Sequence, residues 1–198
     1  MQFVPFEDNI EVKGQTVRAV MDGFSNFAAL GSAYLLDEGI GRPNRQGLAD
    51  VDPEGWYSQK SWLLCFQQIG KQLGEGLLAQ IGRAIPRTAM FPEGISEIHG
   101  AIKSIDVAYH LNHRKQGRVM VDLETGRMEE GIGHYGYEPV PGQRKIICLC
   151  ETPYPCAFDH GLLTTMAQLF ESRARVVHDN SKPCRKLRGD HCTYLITW

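Results

Sequence analysis

Residues 151–161, ETPYPCAFDHG, and 176–198, VVHDNSKPCRKLRGDHCTYLITW, decide how this chain is read. Between them Leu162, Leu163, Met166, Leu169 and Phe170 recur at helical spacing, and Asp159 stands where it could cap that helix. RARVVH (173–178) and CTYLITW (192–198) are short and rich in β-branched and aromatic residues, so both are expected as strands. Three of the six cysteines, Cys156, Cys184 and Cys192, flank the helix. Thiols at a helix start and in a short loop before a final strand can converge on one soft cation, with Zn²⁺ the default guest of a thiolate-rich site. No CxxC occurs, so the spacing is not that of a zinc finger. The same residues also read as buried, reduced thiols serving as small apolar side chains, or as disulfide partners.

Working back toward the N-terminus, RKIICLC (144–150) and RMEEGIGHYGYEPV (127–140) read as two strands punctuated by Pro141-Gly142. RVMVDL (118–123) reads as another. In SIDVAYHLNHR, Ile105, Val107, Tyr109 and Leu111 alternate with Asp106, Ala108, His110 and Asn112, which predicts a strand with one oily and one polar face. The first half has a different period. Phe24, Phe27, Leu30, Tyr34 and Leu35 mark an early helix ended by Gly39 and Gly41. From the potential cap Ser58, the stripe Trp62, Phe66, Ile69, Leu73, Leu77 and Ile81 predicts one long helix to Gly82. A further helix is expected over Gly94–Lys103. Helices first, an antiparallel sheet second and a late helix packed on it give an α+β fold. It is expected as a single domain over 1–198, with a helical half to about residue 103 and a sheet half from about 104.

A chain of 198 residues can bury a sizeable core without staples. Its net charge of −2 offers no electrostatic footprint for nucleic acid. MQFVPFEDNI lacks a signal-peptide pattern, and no stretch approaches the roughly 20 apolar residues of a membrane span. A cytoplasmic location is therefore expected, where disulfides are disfavoured and thiols stay free or metal-bound. His110, His113, His134, Tyr135 and Tyr137, with Arg114 close by, form a second constellation, suited to a polar ligand group, a metal or a proton.

Cys156 followed by Gly161 and a helix, then Cys184 and, after seven residues, Cys192 within GDHCTYLITW, resembles the C-terminal part of the 4-vinyl reductase (V4R) domain family. That family is similar in fold to haem nitric-oxide-binding domains and to Bet3-type trafficking subunits. The resemblance covers about the last fifty residues and implies zinc on Cys156, Cys184 and Cys192. The acidic residue that the family's phenol sensors place three positions before the middle cysteine is Ser181 here. The fourth ligand is then open among Cys150, Asp179, His178, His160 and His191, with Cys150 first choice because it ends a strand five residues before Cys156.

The resemblance further implies a domain that binds or senses a small hydrophobic, aromatic or tetrapyrrole molecule. Its pocket would have Trp56, Tyr57, Trp62 or Phe66 in the wall and His110 or His134 as polar anchor. Alternatives are an enzyme acting on a tetrapyrrole vinyl group, a haem-binding gas sensor with His99 near the proximal position, and a protein-interaction scaffold. The enzyme lacks a dinucleotide fingerprint; the haem sensor lacks the tyrosine-serine-arginine clamp. Related domains pair, so a homodimer is expected, and a sensor of this kind would act on a separate signalling protein.

Overall fold

A computed structural model describes residues 1–24 and 28–198. β1 (Ile10–Lys13) leads into α1 (Gly14–Val17), α2 (Ala19–Phe24) and α3 (Ala28–Asp37). A hairpin of β2 (Arg42–Pro43) and β3 (Ala49–Asp50) precedes β4 (Trp56–Ser58), α4 (Gln59–Leu73), α5 (Glu75–Thr88) and α6 (Ile98–Leu111). β5 (His113–Lys115), β6 (Arg118–Val119), β7 (His134–Pro139), β8 (Lys145–Glu151), α7 (Cys156–Phe170), β9 (Arg175–His178) and β10 (Cys192–Thr197) complete the chain. Two four-stranded sheets result, ordered β4-β1-β5-β6 and β7-β8-β10-β9, with antiparallel neighbours throughout. One contiguous core joins helices and sheets. The α+β class expected from the sequence is what the chain adopts.

The C-terminal sheet and α7 lie where the periodicity puts them, whereas residues 105–112 do not form a strand. They continue α6, whose buried residues Ile98, Ala101, Ile102, Ile105, Ala108 and Tyr109 follow the helical period. Ile105 and Tyr109 fit both a two-residue and a four-residue repeat, and the Glu97 carboxylate decides locally by accepting from the amides of His99 (2.8 Å) and Gly100 (2.6 Å). The expected boundary near residue 103 therefore falls inside a helix. β1 and β4 are additions the sequence did not signal, because they have four and three residues and pair across long separations.

The helix expected from Ser58 to Gly82 is two helices. Ser58 does cap α4, its hydroxyl accepting from Ser61 N at 3.3 Å. Gly74 then breaks the run at φ 87° and ψ 172°, a backbone open to glycine. α5 continues through Pro86, which lies within it. Along α5, Gly82 meets α7: a side chain there would collide with the Phe158 carbonyl, and one at Gly161 with that of Ala79. α5 and α7 are thereby packed backbone to backbone. The early helix falls on α2 and α3, with Phe24, Tyr34 and Leu35 buried and Leu30 exposed; Phe27 lies outside the described residues. RVMVDL pairs only at Arg118–Val119, plus a bridge from Val121 to Met128. No described helix is long and apolar enough to cross a membrane.

Asp159 turns inward instead of capping α7, which has no side-chain cap. Its carboxylate is fully buried, pairs with the guanidinium of the equally buried Arg185, and accepts from Tyr135 Oη at 2.6 Å. Arg185 also donates to Thr152 Oγ1 (2.8 Å) and to the carbonyls of Thr152 and Tyr154, the latter at 2.7 Å. Burial pushes Asp159 up to about 6, against the opposing pull of Arg185 and Tyr135. The network fastens the loop before β10 to α7 and to the segment after β8.

Candidate functional site

α4, α5, α6 and α7 close around a small interior cavity. Its wall is formed by Trp62, Ile85, Ile105, Ala108, Tyr109, Phe158 and Leu162, with Thr16, Asn112, His113, Tyr135 and Tyr154 at its polar points and Ala89 and Phe91 beyond. The free space is about 40 Å³, enough for about two or three water-sized molecules. An aromatic cluster frames one side: Trp62 stands 4.8 Å from Phe66 and 5.3 Å from Tyr154, centroid to centroid, and Phe158 is 5.2 Å from both Phe66 and Tyr154.

Nearly all the polar groups here are engaged. Asn112 Oδ1 accepts from Thr16 Oγ1 (2.8 Å) and Met90 N (3.0 Å), while its Nδ2 donates to the carbonyls of Met90 and Ala108, both at 2.7 Å. His113 Nδ1 lies 2.6 Å from the Tyr109 carbonyl, which can only accept, so the proton is on Nδ1. The bare Nε2 accepts from Tyr154 Oη at 2.8 Å. Burial drives His113 down to about 3, so its ring is neutral at pH 7. Tyr109 Oη donates to the Ile132 carbonyl at 2.6 Å. Trp62 Nε1–H is different: it is buried and has no acceptor.

Of the six expected ligand-wall residues, only Trp62 lines this cavity. Phe66 packs behind it. Trp56 and Tyr57 belong to β4, where Trp56 lies under Lys13 Nζ (5.2 Å) and the Arg114 guanidinium (4.8 Å), and Tyr57 Oη accepts from Asp52 N at 2.9 Å. His110 and His134 sit outside the cavity, stacked on each other with Asp106 between α6 and β7. His99 also points elsewhere, its Nδ1 bonded to Tyr137 Oη at 2.8 Å and its ring against Trp198. Asn112 and Tyr154 escaped sequence reasoning because they join separate elements, Asn112 reaching Thr16 and Met90 and Tyr154 reaching His113 and Gln59. His113 and Tyr135 were flagged by residue type but not placed.

The cysteines do converge. Cys156 Sγ is 3.1 Å from Cys192 Sγ and 3.5 Å from Cys184 Sγ, and His178 completes a set of donors within 4.8 Å of one another. Cys150, the expected fourth member, pairs with Cys192 across the sheet but stands outside the set, its thiol turned to Cys148 two residues along the same strand face. His178 takes its place because β9 flanks β10 on the side opposite β8. The hydrogen bond from Cys156, followed by Arg185, lowers Cys192 to about 4, while the same bond and burial raise Cys156.

No family model matches the sequence, and no curated protein does. Solved structures do. An H-NOX protein from S. oneidensis in its Fe(II) ligation state is 16% identical, covering 93% of this chain and 95% of that chain at a TM-score of 0.60. The chain has the H-NOX fold. An oxygen-binding H-NOX domain related to soluble guanylate cyclases is 14% identical over 93% of this chain and 91% of that one, TM-score 0.58. The unliganded Fe(II) H-NOX protein from K. algicida is 13% identical over 93% and 95%, TM-score 0.53. The neighbourhood is that of haem-NO-binding domains and does not single out the V4R family. It also corrects the cofactor expectation. These proteins are described by iron, oxygen and, in a further one, haem redox potential, so zinc as the cofactor finds no support among them.

Haem in turn does not fit the residues present. The cavity is roughly a tenth of the several hundred Å³ that even drug-sized ligands require. Among the described residues, no lysine or arginine lines it to receive propionates, and the one histidine in its wall, His113, has both nitrogens bonded.

Proposed function

We propose that the chain is a single-domain small-molecule sensor built on the H-NOX fold. Its ligand is small, uncharged and largely apolar, carries one hydrogen-bond acceptor, and sits in the cavity between α4, α5, α6 and α7. One observation carries this: in a wall whose other polar groups are satisfied, Trp62 Nε1–H is a buried donor without a partner. An unpaired buried donor costs about 1–3 kcal/mol, which an acceptor-bearing guest recovers. Charged ligands are disfavoured because the wall is apolar and its histidine neutral. Since the cavity touches four helices, occupancy would be read as a shift in their packing and passed to a separate signalling protein.

A thermal-shift screen of small ketones, ethers, phenols and dissolved gases tests this. A ligand at one hundred times its dissociation constant raises stability by about 2.7 kcal/mol. Trp62→Phe removes the donor and keeps the aromatic body, so the response of acceptor-bearing compounds should fall while that of pure hydrocarbons persists. A screen without a hit, or hits indifferent to W62F, ends the proposal.

A haem-binding gas sensor is the second reading. It is favoured by the fold, with His113 the wall histidine whose Nε2 would have to give up its hydrogen bond from Tyr154 Oη to hold iron. Stoichiometric haemin uptake with a Soret band lost in His113→Gly would install it in place of the first.

A further inference from the structure

Outside the cavity, α6 and β7 hold a second group of donors. Asp106 and His110 are one turn apart on α6 and so share a face, and His134 opens β7 opposite them. Each offers a ligand atom, and these lie within 4.8 Å of one another. His134 Nδ1 is 3.0 Å from Asp106 Oδ2, and its Nε2 is 3.2 Å from Glu130 Oε2. The His110 and His134 rings stack with centroids 4.9 Å apart. His110 is completely buried, and its Nδ1 bonds the Asp106 carbonyl at 2.8 Å. A carbonyl only accepts, so Nδ1 carries the proton and Nε2 keeps a bare lone pair, which is buried and without a partner. Metal-binding histidines show this state: one nitrogen anchored by donation to a carbonyl, the other free to coordinate.

We propose that Asp106, His110 and His134 bind one divalent first-row ion of the Mn²⁺, Fe²⁺ or Co²⁺ kind, with Glu130 at the solvent-facing rim. Two imidazoles and one carboxylate are a donor set that holds such ions with positions left open. The ion enters past Glu130 and His134, which are in contact with solvent, while His110 closes the floor. It replaces the proton shared by His134 and Asp106 and links α6 to β7 more tightly than that hydrogen bond. The other account of these residues is an ion pair stitching helix to strand, with Asp106 Oδ1 also accepting from Tyr135 N at 2.9 Å.

Mn²⁺ is the probe, because its preference for oxygen and imidazole keeps it from the cysteine cluster. Titration of the full chain, followed by loss of the free-ion EPR signal and by paramagnetic broadening in NMR, should show one saturable site. Broadening should centre on His110, His134 and Tyr135. Partly exposed positions are the ones to change, since His110 variants can misfold: His134→Gln and Asp106→Asn should keep the melting temperature of the unmodified chain. Each should weaken Mn²⁺ by roughly tenfold or more, the lower end of what losing even a supporting group costs a metal site. Absent saturation, broadening centred elsewhere, or variants that bind like the parent would overturn the proposal and leave the ion pair.

Discussion

The wall of the cavity and the Arg185 network are both buried and adjacent, yet they carry opposite electrostatic designs. At the cavity the titratable group, His113, is held neutral and its proton pinned by geometry. In the network, two charged groups are buried together, and the Arg185 Nη atoms donate to Thr152, Tyr154 and Asp159 while its Nε is left without a partner. The first keeps an interior space compatible with an uncharged guest. The second uses its groups to hold three chain segments at one point. Shared burial therefore says little about role; what distinguishes the two regions is whether the titratable group is held neutral or as a charged pair.

The largest expected effect breaks this comparison on the network side. Arg185→Ala strands Asp159 without its partner and should cost about 3–5 kcal/mol in denaturant unfolding. A loss under about 1 kcal/mol would mean that the pair is solvated in solution. Next comes pH. His113 is lowered from 6.5 to about 3, so between those values the unfolded chain binds more protons and stability falls as the solution is acidified, by at most about 1.4 kcal/mol per unit. Asp159 is raised from 3.8 to about 6, so its contribution is present at low pH and is lost as pH rises through about 6. The two slopes oppose each other. His113→Gln should remove the first, and the variant should then lose stability from pH 4 to 6 where the parent changes little or gains. Parallel pH profiles for the two proteins would show that His113 is not buried neutral. The smallest effect is a reference outside both regions: Ser58→Ala should cost about 1 kcal/mol through the lost cap of α4 and leave the pH profile untouched.

What was legible in the sequence followed from local rules. β8, β9 and β10 are short runs with turn residues around them, and α7 has a clean apolar face, so each was found close to its true place. α6 was misread because Ile105 and Tyr109 satisfy two periods at once and the deciding signal, Glu97, lies outside the alternating stretch. The break at Gly74 was visible as a glycine but not as a turn, since Gly70 sits in the same helix without interrupting it. For the site, Trp62 could be named from its stripe. Asn112 and Tyr154 could not, because nothing near them in the chain reveals partners on other elements. Three cysteines were brought together as expected, whereas the choice between Cys150 and His178 depended on which strand neighbours β10 on which side.

The crossing of α5 and α7 has one more consequence. At Gly82 and Gly161 the two helices meet backbone to backbone, with no side chain between them. Elsewhere in a protein interior, rotamer changes cushion a displacement before it travels. Here there is no such cushion, so the pair moves as one stiff rod. Ile85 lies one turn beyond this contact on α5, and Phe158 and Leu162 flank it on α7; all three belong to the cavity wall. If the cavity takes the proposed guest, pressure on any of them would bear on both helices together and reach the N-terminal end of α7, where Cys156 and Asp159 hold the loop before the last strand.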